Sequence, residues 1–126
     1  MNQAIVDKMI PFALKEAKKF ETKPNSNEIE SKYLSGIANF GVSVLSSGAK
    51  ATILFYNAKD GKYELIPKSI LKIIHQYNAD TSRFDTLYKY TEEADSRDRI
   101  LDASTALKLA MRSFKKVDNI KGKQDE

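Results

Sequence analysis

Residues 95–117 have the sequence DSRDRILDASTALKLAMRSFKKV, and this stretch decides the fold class. Its apolar residues recur three, four and seven positions apart, which is the spacing of one face of an α-helix. They are Ile100, Leu107, Met111 and Phe114. Asp95 or Ser96 stands directly before the first turn, and both residue types cap helix N-termini. The pattern therefore predicts a long last helix over residues 95–117.

The same helical spacing extends over most of the remaining chain, whereas period-two alternation is rare. It predicts five further helices, at about residues 5–20, 28–45, 49–58, 67–77 and 81–91. The fold class that follows is all-α. We expect a compact single-domain bundle of about six helices over residues 1–126, with a frayed polar tail from about residue 118.

Turn-forming residues separate these helices. Pro11 either kinks the first helix or marks its true start, because its ring clashes with the carbonyl group four residues earlier. Residues 22–27 have loop composition, the Ser-Ser-Gly sequence at 46–48 ends the second helix, and Asp-Gly at 60–61 predicts a turn. Pro67 suits the first turn of the fourth helix.

Three of the helices carry more detailed expectations. Ser26 or Asn27 caps the second helix, with Glu28 and Glu30 in a first turn where the helix dipole favours negative charge. Residues 49–58 favour a short, deeply buried helix, although the run TILFY at 52–56 also fits a strand. The fifth helix is capped by Asp80 or Thr81 and is expected to bury Phe84, Leu87, Tyr88 and Thr91.

Composition excludes several classes of protein. The chain has no cysteine, which rules out disulfide scaffolds, thiolate zinc sites and iron–sulfur clusters. Its 21 lysines and arginines against 17 acidic residues give a net charge of +4, which permits contact with a polyanion without requiring it. The N-terminus lacks the pattern of a signal peptide, and the apolar run at 51–58 is shorter than the ~20 residues of a membrane span. These features predict a cytoplasmic protein without membrane contact.

Candidate catalytic groups are few. The one histidine, His75, lies in the middle of the fourth helix, and no glycine-rich phosphate loop occurs. Asp98 and Asp102 stand one helical turn apart and could share a cation, but dipole and ion-pair effects at a helix start explain them better. They belong to an acidic cluster of Glu92, Glu93, Asp95, Asp98 and Asp102. We therefore predict no enzymatic activity, no metal site and no cofactor.

Basic residues are arranged more regularly. The predicted last helix carries one basic stripe and the first helix another. Two such stripes on neighbouring helices would neutralise several phosphates without sequence preference, while the alternative is an ordinary solvated helix face. The six tyrosines are candidate stacking platforms for bases. Tyr33, Tyr77 and Tyr88 lie on apolar stripes, which favours a position in the core for these three. The two stripes consist of Lys108, Arg112, Lys115 and Lys116, and of Lys15, Lys18 and Lys19.

Two stretches carry a resemblance to a known family. Residues 44–55, VLSSGAKATILF, combine an apolar helix, a small-residue turn with glycine and a second helix that ends in aliphatic and aromatic residues. Residues 99–110, RILDASTALKLA, run on to Phe114 and the lysines at 115 and 116. Both are similar to stretches of the small helical subunit, the fifth Cmr protein, of the type III-B (Cmr) CRISPR RNA-interference complex. Ile100 and Ser113 stand where that family often has aromatic residues.

The resemblance implies a non-catalytic, structural subunit of an RNA-targeting effector complex. Its partners would be the backbone and large subunits of the Cmr complex, further copies of itself in an inner filament, and the duplex of guide RNA and target RNA. The basic face would line the groove that holds this duplex and contact its phosphates. The residues implied are Lys15, Lys18, Lys19, Lys50, Lys108, Arg112, Lys115 and Lys116.

Two alternatives remain open at this level. One is a helical protein–protein adaptor, or a small subunit of a related CRISPR complex, without direct RNA contact. The other is a helix-turn-helix DNA regulator with its turn at 46–48. The latter is disfavoured because the following helix is nearly uncharged, whereas a recognition helix exposes polar and basic side chains.

Overall fold

The computed structural model of the chain describes residues 1–58 and 63–118. This part contains six α-helices, two 3-10 helices and one pair of short strands, which confirms the all-α prediction of about six helices. The elements in chain order are α1 (Gln3–Ala17), a 3-10 helix (Lys18–Phe20), β1 (Glu28–Glu30), α2 (Ser31–Ser47), α3 (Ala49–Ala58), α4 (Leu65–Tyr77), a second 3-10 helix (Ala79–Arg83), α5 (Leu87–Tyr90), α6 (Ser96–Met111) and β2 (Lys115–Val117).

The last helix, α6, forms the centre of the bundle. It packs against α1, α2 and α4, and its predicted core residues Ile100, Leu107 and Met111 are fully buried. Small residues make this central position possible, since α6 also buries three alanines and α1 buries two, which lets the helices approach closely. The buried alanines are Ala103, Ala106 and Ala110 of α6, and Ala13 and Ala17 of α1.

The last helix is shorter than predicted. It ends at Met111, and turn-type bonds from Ser113 to Ala110 and from Phe114 to Met111 close its final turn. The chain then extends into β2, which pairs in parallel with β1. Lys115 and Lys116 therefore lie on a strand, and the prediction that they continue a helical stripe with Lys108 and Arg112 is wrong.

The start of the second helix was also predicted wrongly. Glu28 and Glu30 are not in a first helical turn, because residues 28–30 form β1, and α2 begins only at Ser31. The register pairs Glu28 with Lys115 and Ile29 with Lys116. The reason is a tertiary contact. Residues 28–30 form backbone hydrogen bonds with β2, and the burial of Ile29 in the core stabilises this pairing.

The first helix begins well before Pro11. Asn2 caps α1 by accepting a hydrogen bond from the backbone N–H of Ile5 at 3.2 Å, so the possibility that Pro11 marks the helix start is wrong. Both Pro11 and Asp7, the residue four positions before it, are exposed. The Asp7 carbonyl, which loses its helical partner at the proline, can therefore bond to water.

The third helix forms as predicted but is not deeply buried. Gly48 ends α2 with a φ of 94°, a conformation that glycine adopts without strain, and α3 follows at once. Only Thr52, Ile53 and Tyr56 of α3 are buried, whereas Leu54 and Phe55 are 54% and 57% exposed. No element of the described residues covers the outer side of α3. The turn predicted at 60–61 lies outside the described residues.

The predicted fifth helix is divided in two. Asn78, rather than Asp80 or Thr81, caps the second 3-10 helix, and Thr86 caps the four-residue α5 by accepting from the N–H of Lys89. Tyr88 was expected inside but is 38% exposed, and Tyr90 is buried instead. Because a new helix begins after Thr86, its direction differs from that of one continuous helix, and Tyr90 rather than Tyr88 faces the core.

Candidate nucleic-acid interface

Three segments that are far apart in sequence meet at one end of the molecule. Glu21 forms an antiparallel bridge with Ile29, and Ile29 is the register partner of Lys116 on β2. Neighbouring strands lie about 4.8 Å apart, so the backbone at residue 21 is about 10 Å from that at residue 116. The 3-10 helix that carries Lys18 and Lys19 and the strand that carries Lys115 and Lys116 therefore lie at the same end of the molecule. We call it the basic end, and its members are Lys15, Lys18, Lys19, Lys115 and Lys116.

Most cations of the basic end are available for an external anion. All five lysines are exposed. Among the described residues only Lys19 forms an ion pair, donating to the Glu16 carboxylate at 2.9 Å. This hydrogen bond raises the pKa of Lys19 above its ordinary value. The nearly buried Glu16 thus fixes one ammonium group in place and leaves four lysines that can each meet a phosphate.

Carboxylates moderate the charge of this end. Glu28 is the register partner of Lys115, and Glu21 accepts the backbone N–H of Asn27 at 2.7 Å. These acidic groups hold the loop and the strand in place, but they also lower the local positive potential. The basic end is therefore a discrete cluster of cations rather than a continuous basic stripe.

The last turn of α6 adds two further cations. Lys108 and Arg112 are four residues apart and so lie on one side of the helix C-terminus, where the dipole favours positive charge. Neither has a carboxylate within ion-pair distance in the described part of the chain. Lys108 lies against the apolar groove between α2 and α6, where its methylene stem covers apolar surface and its ammonium group reaches water.

Lys50 does not belong to this group. It lies on the first turn of α3, and α2, whose 17 residues span about 25 Å, separates it from β1. Its ammonium group pairs with Glu92 at 2.6 Å, and the hydrogen bond with Glu92 raises the pKa of Lys50. Lys50 is thus the one predicted phosphate contact that the fold places elsewhere.

The acidic cluster of the sequence has a structural explanation. Glu92 and Glu93 pair with Lys50 and Arg83, each at 2.6 Å. Asp102 is fully buried, accepting the backbone N–H of Asn2 at 2.8 Å and the guanidinium of Arg99 at 2.5 Å. Asp102 therefore joins the start of α1 to α6 and is not merely a helix-start residue, as the sequence suggested. No group of three potential metal ligands comes together within residues 1–58 and 63–118.

His75 has a local partner as well. Its Nε2 lies 2.9 Å from the carbonyl oxygen of Phe84, and the ring is half-buried between α4 and the segment before α5. Since a carbonyl oxygen only accepts hydrogen bonds, this nitrogen donates. The contact holds the turn after α4 against that helix.

The hairpin of α2 and α3 presents a second surface that the sequence-based prediction missed. Between residues 33 and 58 the only charged residue is Lys50, in a chain that is 30% charged. Depletion of charge is the compositional mark of an interface core. The sequence shows the helical spacing of these apolar residues, but spacing alone does not distinguish an exposed face from a buried one. We call the following residues the α3 face: Ala51, Leu54, Phe55 and Ala58.

A small cleft lies beside the α3 face, between α2 and α3. Its volume is about 210 Å³, and its lining contains serine, asparagine and aromatic side chains without a charged group. The hydroxyl of Tyr56 donates to the carbonyl oxygen of Gly36 at 2.6 Å and closes its floor. This cleft extends the uncharged surface across the hairpin.

Comparison with protein-family models, with curated proteins and with solved structures finds no match to this chain. No helix in the described part of the chain is long and apolar enough to cross a membrane.

Proposed function

We propose that this chain is a non-catalytic structural subunit of a type III-B (Cmr) CRISPR RNA-targeting effector complex. In this role it stacks in the inner filament and turns its basic end toward the groove that holds the duplex of guide RNA and target RNA. The observation that carries the proposal is that the fold places the segments of Lys15, Lys18, Lys115 and Lys116 at one end of the molecule, where these lysines have no ion pair among the described residues. The resemblance of residues 44–55 and 99–116 to the small Cmr subunit supplies the identity of the complex.

The chemistry of the basic end suits contact with an RNA backbone. Flexible lysines neutralise phosphates and release counterions, which gives affinity without reading bases. An effector complex of this kind needs no base readout from the subunit, because pairing between guide and target already supplies sequence specificity. Lys108 and Arg112 at the end of α6 would extend the contact along the duplex.

The proposal includes the other partners that the resemblance implies. The subunit would contact the backbone and large subunits of the Cmr complex and further copies of itself, and it would act in the cytoplasm. Cleavage of the target would belong to other subunits, with no cofactor bound here.

Affinity purification from the native host tests this proposal. The tagged chain is expected to recover Cmr subunits together with guide RNA. A variant with Lys15, Lys18, Lys115 and Lys116 changed to Glu is expected to recover much less RNA. The control variant changes Lys50 on α3 and Lys89 on α5 to Glu. Both lysines are exposed and both form ion pairs. Recovery of neither CRISPR proteins nor RNA with the unmodified chain would contradict the proposal.

The α2–α3 hairpin, which carries few charges, favours a second candidate function, a helical protein–protein adaptor without RNA contact. Exposed apolar surface without charge is typical of protein interfaces. In that case the charge-reversed variant recovers the same proteins as the unmodified chain, and RNA is absent from both.

A further inference from the structure

A shallow cleft between α1 and the end of α4 brings aromatic and cationic side chains together. Its volume is about 510 Å³, and Lys8, Phe12, Tyr77 and Asn78 line it. Phe12 and Tyr77 are half-buried, so each ring rests partly on the core and leaves the remainder of its surface open. Lys8 and Asn78 are exposed. We call this site the α1–α4 cleft, and its volume is in the range of sites that bind small molecules.

The two rings of the α1–α4 cleft have no aromatic partner among the described residues. Other half-buried rings pack edge-to-face on a neighbour: Tyr33 lies 5.4 Å from Phe20, and Phe84 lies 5.6 Å from Tyr90, measured between ring centroids. The rings in the cleft make no such contact, even with each other, within residues 1–58 and 63–118. Their open surface can therefore receive a planar ligand, and stacking on an aromatic ring suits every nucleobase.

Lysines precede and follow Phe12 on the same side of α1. Lys8, Phe12 and Lys15 stand at positions i, i+4 and i+7 and so form one stripe. The two lysines are about 10 Å apart along the helix axis, with the ring between them. Neither forms an ion pair with a carboxylate in the described part of the chain. A base stacked on Phe12 would thus have a free ammonium group on each side.

The carboxylates close to this stripe in sequence have other partners. Asp7 stands about 100° around α1 from Lys8 and accepts a hydrogen bond from the side chain of Gln3 at 2.8 Å. Glu16 is nearly buried and pairs with Lys19 at 2.9 Å. The stripe therefore keeps a positive charge, which favours an anionic ligand over an apolar peptide.

Asn78 adds a hydrogen-bond donor to the α1–α4 cleft. Its side-chain oxygen accepts the backbone N–H of Asp80 at 3.1 Å, which fixes the orientation of the amide. The NH2 group of the amide has no acceptor among the described residues and can donate to a ligand. Acceptors of this kind occur on the edge of every base, and unpaired bases expose them.

We propose that the α1–α4 cleft binds an unpaired nucleotide of single-stranded RNA. The base stacks on Phe12 and Tyr77, Asn78 donates to its edge, and Lys8 and Lys15 contact the phosphates on its two sides. A duplex cannot use the cleft in this way, because its bases are already stacked on each other. The inference goes beyond the proposed function, which concerns the phosphates of a duplex, and it does not rest on the identity of the complex.

Fluorescence anisotropy of the full chain with labelled oligouridine of about ten nucleotides tests this binding, with an RNA duplex of the same length for comparison. Phe12→Leu keeps an apolar side chain on the core but removes the aromatic surface. We expect single-strand affinity to fall about fivefold or more and duplex affinity less than twofold. The control is Phe84→Leu, which changes a half-buried ring that packs on Tyr90, and it should leave both affinities unchanged.

Lys8→Gln provides a second variant at an exposed position, where the fold does not depend on the side chain. It should reduce the salt dependence of single-strand binding by about one phosphate contact and leave that of duplex binding unchanged. This result decides the question even if Phe12→Leu does not fold.

Ultraviolet crosslinking of the oligouridine, followed by mass spectrometry, locates the stacked base directly. Crosslinks are expected at Phe12 or Tyr77. The proposal would be overturned by crosslinks confined to other residues, by absence of single-strand binding, or by unchanged single-strand affinity in both Phe12→Leu and Lys8→Gln. An equal loss of single-strand and duplex affinity in these variants would overturn it as well. None of these outcomes depends on whether affinity purification recovers Cmr subunits.

Discussion

The basic end and the α3 face are opposite in nearly every physical respect. The basic end joins a helix terminus, a loop and two three-residue strands from both halves of the chain, and it carries mobile charges. The α3 face belongs to one continuous helix whose stripe carries no charge. Charge favours a polyanion over a protein core, and its depletion favours the reverse. The difference favours separate classes of partner for the two regions.

The largest expected effect comes from reversing the charge of the basic end. Changing Lys15, Lys18, Lys115 and Lys116 to Glu would remove four of the proposed phosphate contacts and add repulsion. We expect affinity for an RNA duplex at low salt to fall roughly 1,000-fold. Fluorescence anisotropy measures this affinity. An equal loss in the Lys50 and Lys89 double reversal would remove the distinction between the two regions.

Salt should weaken RNA binding at the basic end. For about four phosphate contacts, raising the salt concentration from 50 to 200 mM lowers RNA affinity about 100-fold, because released counterions oppose binding. RNA affinity that is independent of salt would contradict the assignment of the basic end.

The buried contacts of Asp102 stabilise the packing of α1 on α6. Asp102→Ala leaves Arg99 and the N–H of Asn2 without their partner and is expected to lower the free energy of unfolding by about 2–3 kcal/mol. Urea denaturation measures this change. The neighbouring Asp98→Ala serves as the control, because exposed Asp98 contributes only through the helix dipole, less than about 1 kcal/mol. Equal losses would mean that the contact at Asp102 does not anchor α1.

A substitution on the α3 face should have a smaller effect. For Leu54→Glu, RNA affinity should change less than twofold, because this helix lies away from the basic end. Fluorescence anisotropy measures the change. A loss similar to that of the charge-reversed basic end would indicate a shared surface.

The smallest effect is expected at Lys50. Its charge is already paired with Glu92 and lies about the length of α2 from the basic end. Lys50→Ala should therefore change RNA affinity less than twofold in the anisotropy assay. A loss comparable to that of Lys115→Ala would place RNA on the hairpin side of the molecule.

Local periodicity was sufficient to predict most of the helices. The spacing of Ile100, Leu107 and Met111 predicted α6 and its apolar face, because a helical stripe can be recognised from the sequence alone. Gly48 marked the end of α2 for an equally local reason, its positive φ. These features depend on residues within a few positions of each other.

The remaining features depend on contacts between distant segments. The strands Glu-Ile-Glu and Lys-Lys-Val are too short and too polar to show alternation, and only their mutual pairing defines them. Asp102 looked like a helix-start carboxylate because its partner, the N–H of Asn2, lies 100 residues away in sequence. Leu54 and Phe55 looked like core residues because periodicity identifies an apolar face but not what covers it.

Nuclear magnetic resonance of the isotopically labelled full chain with an RNA duplex tests the central claim most directly. As RNA is added, we predict that amide shifts change at residues 15–21 and 112–117, while residues 51–58 stay unaffected. Shift changes concentrated at residues 51–58, with none at the basic end, would contradict the separation of the two regions.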